Sequence, residues 1–224
     1  MRIKEIVLQT HLYREMKQFY SELLQFPIED ETIDSFSLRA GASKLTFQRS
    51  TDSQNYYHFA FMVPSNQLDE AGHWLQAKGI KLFSKDNQNQ FFFEDWNATA
   101  TYFYDPQSNL VELIAHHSLT HFSKTAFGHD SILCISEIGL PLLSVEDELP
   151  QICDVLSQKM WRGDGKQFAG VGDAEGLLIV IDITRPWFPD GRMPRVCLTK
   201  VILEGGSEQN LELQDLPYQI SSES

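Results

Sequence analysis

Two side chains suited to holding a divalent cation stand in apolar, strand-like runs of this 224-residue chain: His58 in YYHFAFMV and Glu112 in DPQSNLVELIAHH. An imidazole and a carboxylate brought together in a half-buried cleft supply the nitrogen and oxygen donors of a metal site. Alternation puts His58, Ala60 and Met62 on one face of their segment, with Phe59, Phe61 and Val63 on the other. Glu112 shares a face with Leu110 and Ile114. A buried carboxylate without a partner is costly, so the two read as site residues. Asn97, in WNATATYF, precedes a strand that can face the same cleft and could hold a substrate oxygen or a water. Tyr102 and Tyr104, with the run Phe91–Phe93, could wall an aromatic pocket. His116, His117, His121 and His129 lack ligand spacing and read as solvated loop residues. RPWFPDGR, with Arg185, Trp187 and Arg192, reads as an irregular surface loop that could serve as a lid or a subunit contact.

The elements that must position these side chains recur along the chain in one order: strand, amphipathic helix, strands. In the first unit IKEIVLQT alternates, and Met16, Phe19, Tyr20, Leu23 and Leu24 follow at helical spacing until Pro27 stops the helix. SFSLRAG and SKLTFQRS then read as strands about a turn at Gly41. In the second unit the His58 strand leads to a helix through Leu68, Ala71, Trp74, Leu75 and Ala77, closed by Gly79. IKLFSK, QFFFEDW and TATYFYD follow as strands, and DPQSN turns the chain into the Glu112 strand. SILCISEIGLP opens a third unit, followed by a helix over DELPQICDVLSQKM and strands QFAGVGD, GLLIVID and RVCLTKVILEG. The expected organisation is α+β: paired βαβββ modules at 1–52 and 56–117, a third module at 131–206, and a polar acidic surface tail at 207–224.

Composition narrows the function. A net charge of −13, from 18 Lys+Arg against 31 Asp+Glu, opposes binding to nucleic acid or anionic membranes. No apolar run is long enough to span a bilayer, and MRIKEIVLQT lacks a signal-peptide pattern. Cys134, Cys153 and Cys197 are odd in number and lie in apolar stretches, as buried free thiols of a cytoplasmic protein would. No Walker loop, dinucleotide glycine fingerprint or Ser-His-Asp arrangement is present. GDAEG reads as a hairpin turn, since no helix follows it.

The helix start REMKQFYSELLQFP, and above all YYHFAFMV…DEAGHWLQAKGI…YFYDPQSNLVELI, resemble the vicinal oxygen chelate superfamily of glyoxalases, bleomycin-resistance proteins and extradiol dioxygenases. The likeness covers roughly residues 1 to 117. It implies metal ligands on the first and last strands of two paired modules. His58 and Glu112 match those positions in the second module, and Glu5 and Gln48 match them in the first. Metal-dependent relatives commonly place histidine or glutamine where Glu5 stands. A Glu5–His58–Glu112 set is harder than two histidines and one carboxylate, and it favours Mg, Mn or Zn over a redox iron site. Glu137, in ISEIGLP, holds the first-strand position of the third module, and Glu204 lies on its expected last strand. An unpaired third module implies either a homodimer formed through it or a cap that shields apolar surface of the first two units. The resemblance thus implies a divalent-metal enzyme that chelates a small substrate through two oxygens, with Glu112 or Glu5 moving a proton. The alternative is a metal-free protein that sequesters a small aromatic molecule in the same cleft.

Overall fold

The computed structural model describes residues 1–205 and 208–223. Its first unit is β1 (Arg2–Thr10), α1 (Tyr13–Lys17, running on as a π-helical turn over Gln18–Leu23), β2 (Ile28–Glu31), β3 (Ser35–Ala40) and β4 (Ser43–Arg49). The second is β5 (His58–Met62), α2 (Leu68–Ala77), β6 (Phe91–Phe93), β7 (Ala98–Tyr104) and β8 (Leu110–His116). The third is β9 (Cys134–Leu142), α3 (Val145–Val155), β10 (Met160–Gly163), β11 (Phe168–Asp173) and β12 (Gly176–Asp182). Three more strands follow: β13 (Thr199–Glu204), β14 (Gln209–Leu211) and β15 (Tyr218–Glu223). The α+β, tandem βαβββ architecture is as the sequence implies.

The partnership between units differs from the expectation. One sheet runs β10-β11-β12-β9-β5-β8-β7-β6 and joins the second unit to the third, through antiparallel β5 and β9. The other runs β14-β15-β13-β1-β4-β3-β2 and joins the first unit to the last three strands, through antiparallel β1 and β13. RVCLTKVILEG therefore does not close the third unit; β12 does. The third unit finds its partner within the chain, which removes the reason for a dimer through it. The stretch expected to be a surface tail supplies two strands, with Leu211, Leu213, Leu216, Tyr218 and Ile220 buried at alternating or near-alternating positions. IKLFSK makes only an isolated bridge, Leu82 to Phe103, and not a strand.

A single apolar core lies between the two sheets. Ile6, Leu8, Phe36 and Phe47 from one sheet meet Phe59, Phe61, Val111 and Ile138 from the other, with Met16, Tyr20, Leu75 and Ile152 of the helices among them. Each strand thus buries one set of alternate residues here and presents the other set to the opposite face. On the eight-stranded sheet that opposite face carries a second cluster, built on Ala60, Ala98, Ala100, Leu110, Ile114 and Ile179. Its small residues leave room for a cavity. On the seven-stranded sheet the corresponding face carries Glu5, Val7 and Gln9, all partly exposed, and the exposed Gln48. No helix among the described residues is long and apolar enough to cross a membrane.

Candidate metal centre

The sequence DPQSN fixes the register of the site. Asp105 Oδ1 accepts from the backbone N–H groups of Gln107 and Asn109, and Oδ2 accepts from Asn109 Nδ2 at 2.8 Å and from the Tyr20 hydroxyl at 2.9 Å. Asn109 Oδ1 in turn accepts from the Tyr57 N–H at 2.8 Å, and the Leu110 N–H donates to the Tyr57 carbonyl. Ser108 takes the left-handed conformation (φ 64°) that the turn requires. The start of β8 is thereby clamped to the start of β5. The parallel ladder that follows sets His58 beside Leu110 and Ala60 beside Glu112.

The other half comes from β9. Phe59 pairs with Ile138 and Ala60 with Glu137, so His58 and Glu137 hold equivalent places on two antiparallel first strands. The parallel neighbour β12 sets Leu177 beside Glu137 and Ile179 beside Gly139, as Leu110 and Glu112 stand beside His58 and Ala60. Ile179 therefore occupies the place equivalent to Glu112. The fourth corner of the site has no donor side chain.

Donor atoms of His58, Glu112 and Glu137 lie within 4.8 Å of one another, and all three residues are buried. His58 Nδ1 faces the Leu110 carbonyl at 3.0 Å, which fixes the proton on Nδ1 and leaves the Nε2 lone pair toward the carboxylates. Nε2 is 3.6 Å from Glu112 Oε2. Burial lowers the His58 pKa to about 4, with the Leu110 carbonyl offsetting part of the shift, so the ring is neutral near pH 7. Burial also pushes both carboxyls up, Glu137 to about 8; at Glu112 the neighbouring Glu137 adds to the rise and Tyr102 opposes it. Glu137 Oε1 has no hydrogen-bond partner among the described residues. A buried carboxyl pair with an unpartnered oxygen, facing a free imidazole lone pair, fits a divalent cation.

The cavity over these groups has a volume of about 280 Å³ and is walled by Phe93, Trp96, Tyr102, Phe168, Trp187 and Phe188. Trp187 caps His58, with ring centroids 4.9 Å apart. It can do so because Gly139 lies beneath it: a Cβ there would stand 2.6 Å from Trp187 Cη2. RPWFPDGR is thus the roof of the site, held by Arg192, which bonds Asp190 and the Ser108 carbonyl and stacks over Tyr56 and Tyr104.

Of the residues singled out from sequence, His58, Glu112 and Tyr102 come together, and Tyr102 pairs with Glu112 across the ladder. Glu5 does not join them. It lies in the other sheet, where it accepts from Thr46 Oγ1 at 2.6 Å and pairs with Lys44 at 3.0 Å. Gln48 is exposed on that same sheet, and Glu204 there pairs with Arg2 of β1. Asn97 is exposed in the β6–β7 turn (φ 45°), bonded to Ser118, and does not line the cavity. His116 is no loop residue: it ends β8, 2% exposed, and burial lowers its pKa to about 4. Phe92 is 62% exposed, which leaves Phe93 as the wall residue of its run.

No protein-family profile and no curated protein matches the chain. Among solved structures, a dioxygenase-titled protein from Bacillus subtilis aligns over 99% of this chain and 85% of its own, with TM-score 0.64 and 11% identity. A lactoylglutathione lyase from Agrobacterium tumefaciens aligns with 50% of this chain and 92% of its own, with TM-score 0.43 and 17% identity. A glyoxalase/bleomycin resistance protein/dioxygenase from Nocardioides aligns with 57% of this chain and 88% of its own, with TM-score 0.43 and 18% identity. At these identities the likeness is one of fold. Over nearly its whole length the chain has the fold of the dioxygenase-titled Bacillus subtilis protein.

Proposed function

We propose that this protein is a divalent-metal-dependent enzyme that binds a small substrate through two neighbouring oxygens at His58, Glu112 and Glu137. The observation that carries the reading is the buried trio itself: donor atoms of His58, Glu112 and Glu137 lie within 4.8 Å of one another, and Glu137 Oε1 has no hydrogen-bond partner among the described residues. One imidazole and two carboxylates form a hard donor set, suited to Mg, Mn or Zn more than to iron held by two histidines and one carboxylate. Such an ion supplies Lewis acidity toward a substrate oxyanion. His58 would hold the ion through Nε2, oriented by the Leu110 carbonyl, with Glu112 and Glu137 as the carboxylate donors, and the corner at Ile179 has no donor side chain. Burial keeps the Tyr102 phenol protonated, and its one hydrogen goes to the Glu112 carboxylate, which it steadies. A carboxyl oxygen of Glu112 or Glu137 not engaged in holding the ion can take or return a substrate proton. Trp187 and Phe188 exclude water from above. Lyase, isomerase and ring-cleavage chemistry all use these parts.

Elemental analysis of protein purified without chelator tests the reading. Near-stoichiometric divalent metal is expected in the wild type, and little in His58→Ala or Glu137→Gln. A wild type that takes up no metal by titration calorimetry would refute it. Aromatic-ligand binding indifferent to chelator would instead support the metal-free binding protein, which the six aromatic rings of the cavity also suit.

A further inference from the structure

The cavity contains one cationic side chain, Arg185, and its guanidinium is uncommitted. It lies half-buried on the turn after β12, with Cζ 4.5 Å over the Phe168 ring, and it lines the same cavity as His58 and Glu137. Among the described residues no carboxylate forms an ion pair with it. Asp164 feels the Arg185 charge without a direct ion pair, and it and Asp182 hold other donors. Asp182 Oδ1 accepts from the Thr184 N–H and hydroxyl, and Asp164 Oδ1 accepts from the backbone N–H groups of Lys166, Gln167 and Phe168. Arg192, seven residues on, differs: its Nε bonds Asp190 and its Nη1 the Ser108 carbonyl, and it lies over two tyrosine rings, with Nη2 alone lacking a hydrogen-bond partner among the described residues.

Charge then points to a class of ligand. The only acids lining the cavity are Glu112 and Glu137, and a divalent ion would neutralise both. Arg185 is left over as a single positive charge at one end of an aromatic chamber. The chain as a whole carries −13 and repels anions at long range, so an anionic ligand needs local capture of this kind. A guanidinium seated over a ring keeps N–H donors available to a carboxylate. We propose that the substrate is an aromatic or similarly flat monoanion, and that Arg185 binds its carboxylate while its vicinal oxygens face His58, Glu112 and Glu137. This rests on the metal reading for the oxygen end only; the charge preference stands on Arg185 and the aromatic walls.

Binding is read from quenching of the cavity tryptophans, Trp96 and Trp187, with two matched pairs of probes. One pair is 3-phenylpropionate and its amide, titrated into EDTA-treated protein. The other is 3-(3,4-dihydroxyphenyl)propionate and its amide, titrated with and without Mn²⁺. In the wild type each acid is expected to bind about tenfold more tightly than its amide, equivalent to about 1.4 kcal/mol. Arg185→Gln should bring the acid-to-amide ratio near one, and Arg185→Lys should retain part of the preference. A ratio near one in the wild type, or a full preference in Arg185→Gln, overturns the proposal. The Mn²⁺-dependent advantage of the dihydroxy pair over the phenyl pair reports the metal reading separately, so either can fail while the other stands.

Discussion

Replacing Glu137 by glutamine should move stability in opposite directions with and without metal. Burial raises this carboxyl from an ordinary 4.5 to about 8. A raised folded-state pKa means that the stability tied to its protonated form is complete below pH 4.5 and is lost as pH rises through about 8. At pH 7 the unfolded chain is ionised there and the fold still holds the proton. At about 1.4 kcal/mol per pH unit over roughly 2.5 units, the cost is about 3 kcal/mol as an upper figure. Glutamine is neutral throughout and relieves that cost, less whatever its buried amide leaves unbonded. Metal-free Glu137→Gln should therefore be about 1–3 kcal/mol more stable than wild type at pH 7, raising Tm by roughly 3–10 °C for a chain of this size. The gain should grow toward pH 8 and shrink toward pH 5. With metal at a thousand times Kd the order reverses, because the wild type gains about 4.1 kcal/mol and the variant has lost a ligand. Thermal melts in EDTA and in Mn²⁺ or Zn²⁺, at pH 5, 7 and 8, measure both effects. A variant less stable than wild type in EDTA at pH 8, or one that keeps the full metal-induced shift, would falsify the assignment of Glu137.

Other outcomes follow from the same geometry. Glu5→Gln should leave metal content unchanged, since Glu5 pairs with Lys44 in the other sheet; loss of metal by elemental analysis would contradict the topology. Asp105→Ala removes the acceptor of four hydrogen bonds in a buried turn and should cost about 2–4 kcal/mol by urea denaturation, with metal affinity falling as the β5–β8 clamp loosens. A stability loss below about 0.5 kcal/mol would show that the clamp is dispensable. Gly139→Ala places a Cβ against Trp187 and should cost about 1–3 kcal/mol through overpacking, with a red-shifted tryptophan emission as the ring is expelled. Unchanged emission would place the roof elsewhere.

His58 and Glu112 were legible because each breaks an alternating apolar pattern within one unit, where DPQSN fixes the local register. Glu137 stood out as a first-strand glutamate, but its partnership was not legible. Periodicity describes one strand and carries no information on which distant strand lies alongside it. A physical signal did exist. HFAFM is buried at every position and CISEIGLPL at all but its first, as strands covered on both faces must be, whereas RIKEIVLQT buries alternate residues and leaves Glu5 and Gln9 partly exposed. First strands of matching character belong together. The final segment was misread for a related reason: its acidic residues lie between buried ones, so composition suggested a tail where the spacing of Leu211, Leu213, Tyr218 and Ile220 encoded strands. His116 was taken for a loop residue because nothing in AHHS marks where the strand stops.

The pairing of Arg2 with Glu204 bears on the order in which the molecule is made. Every strand of the sheet that carries His58, Glu112 and Glu137 lies between residues 58 and 182, whereas the other sheet draws on both sides of that stretch. During synthesis β1 emerges early, and one of its edges waits unpaired until β13 has been translated. The ladder that holds His58, Glu112 and Glu137 can close before then. The site is framed by one continuous middle segment, and the sheet whose own open face bears no metal cluster among the described residues is the last to be completed.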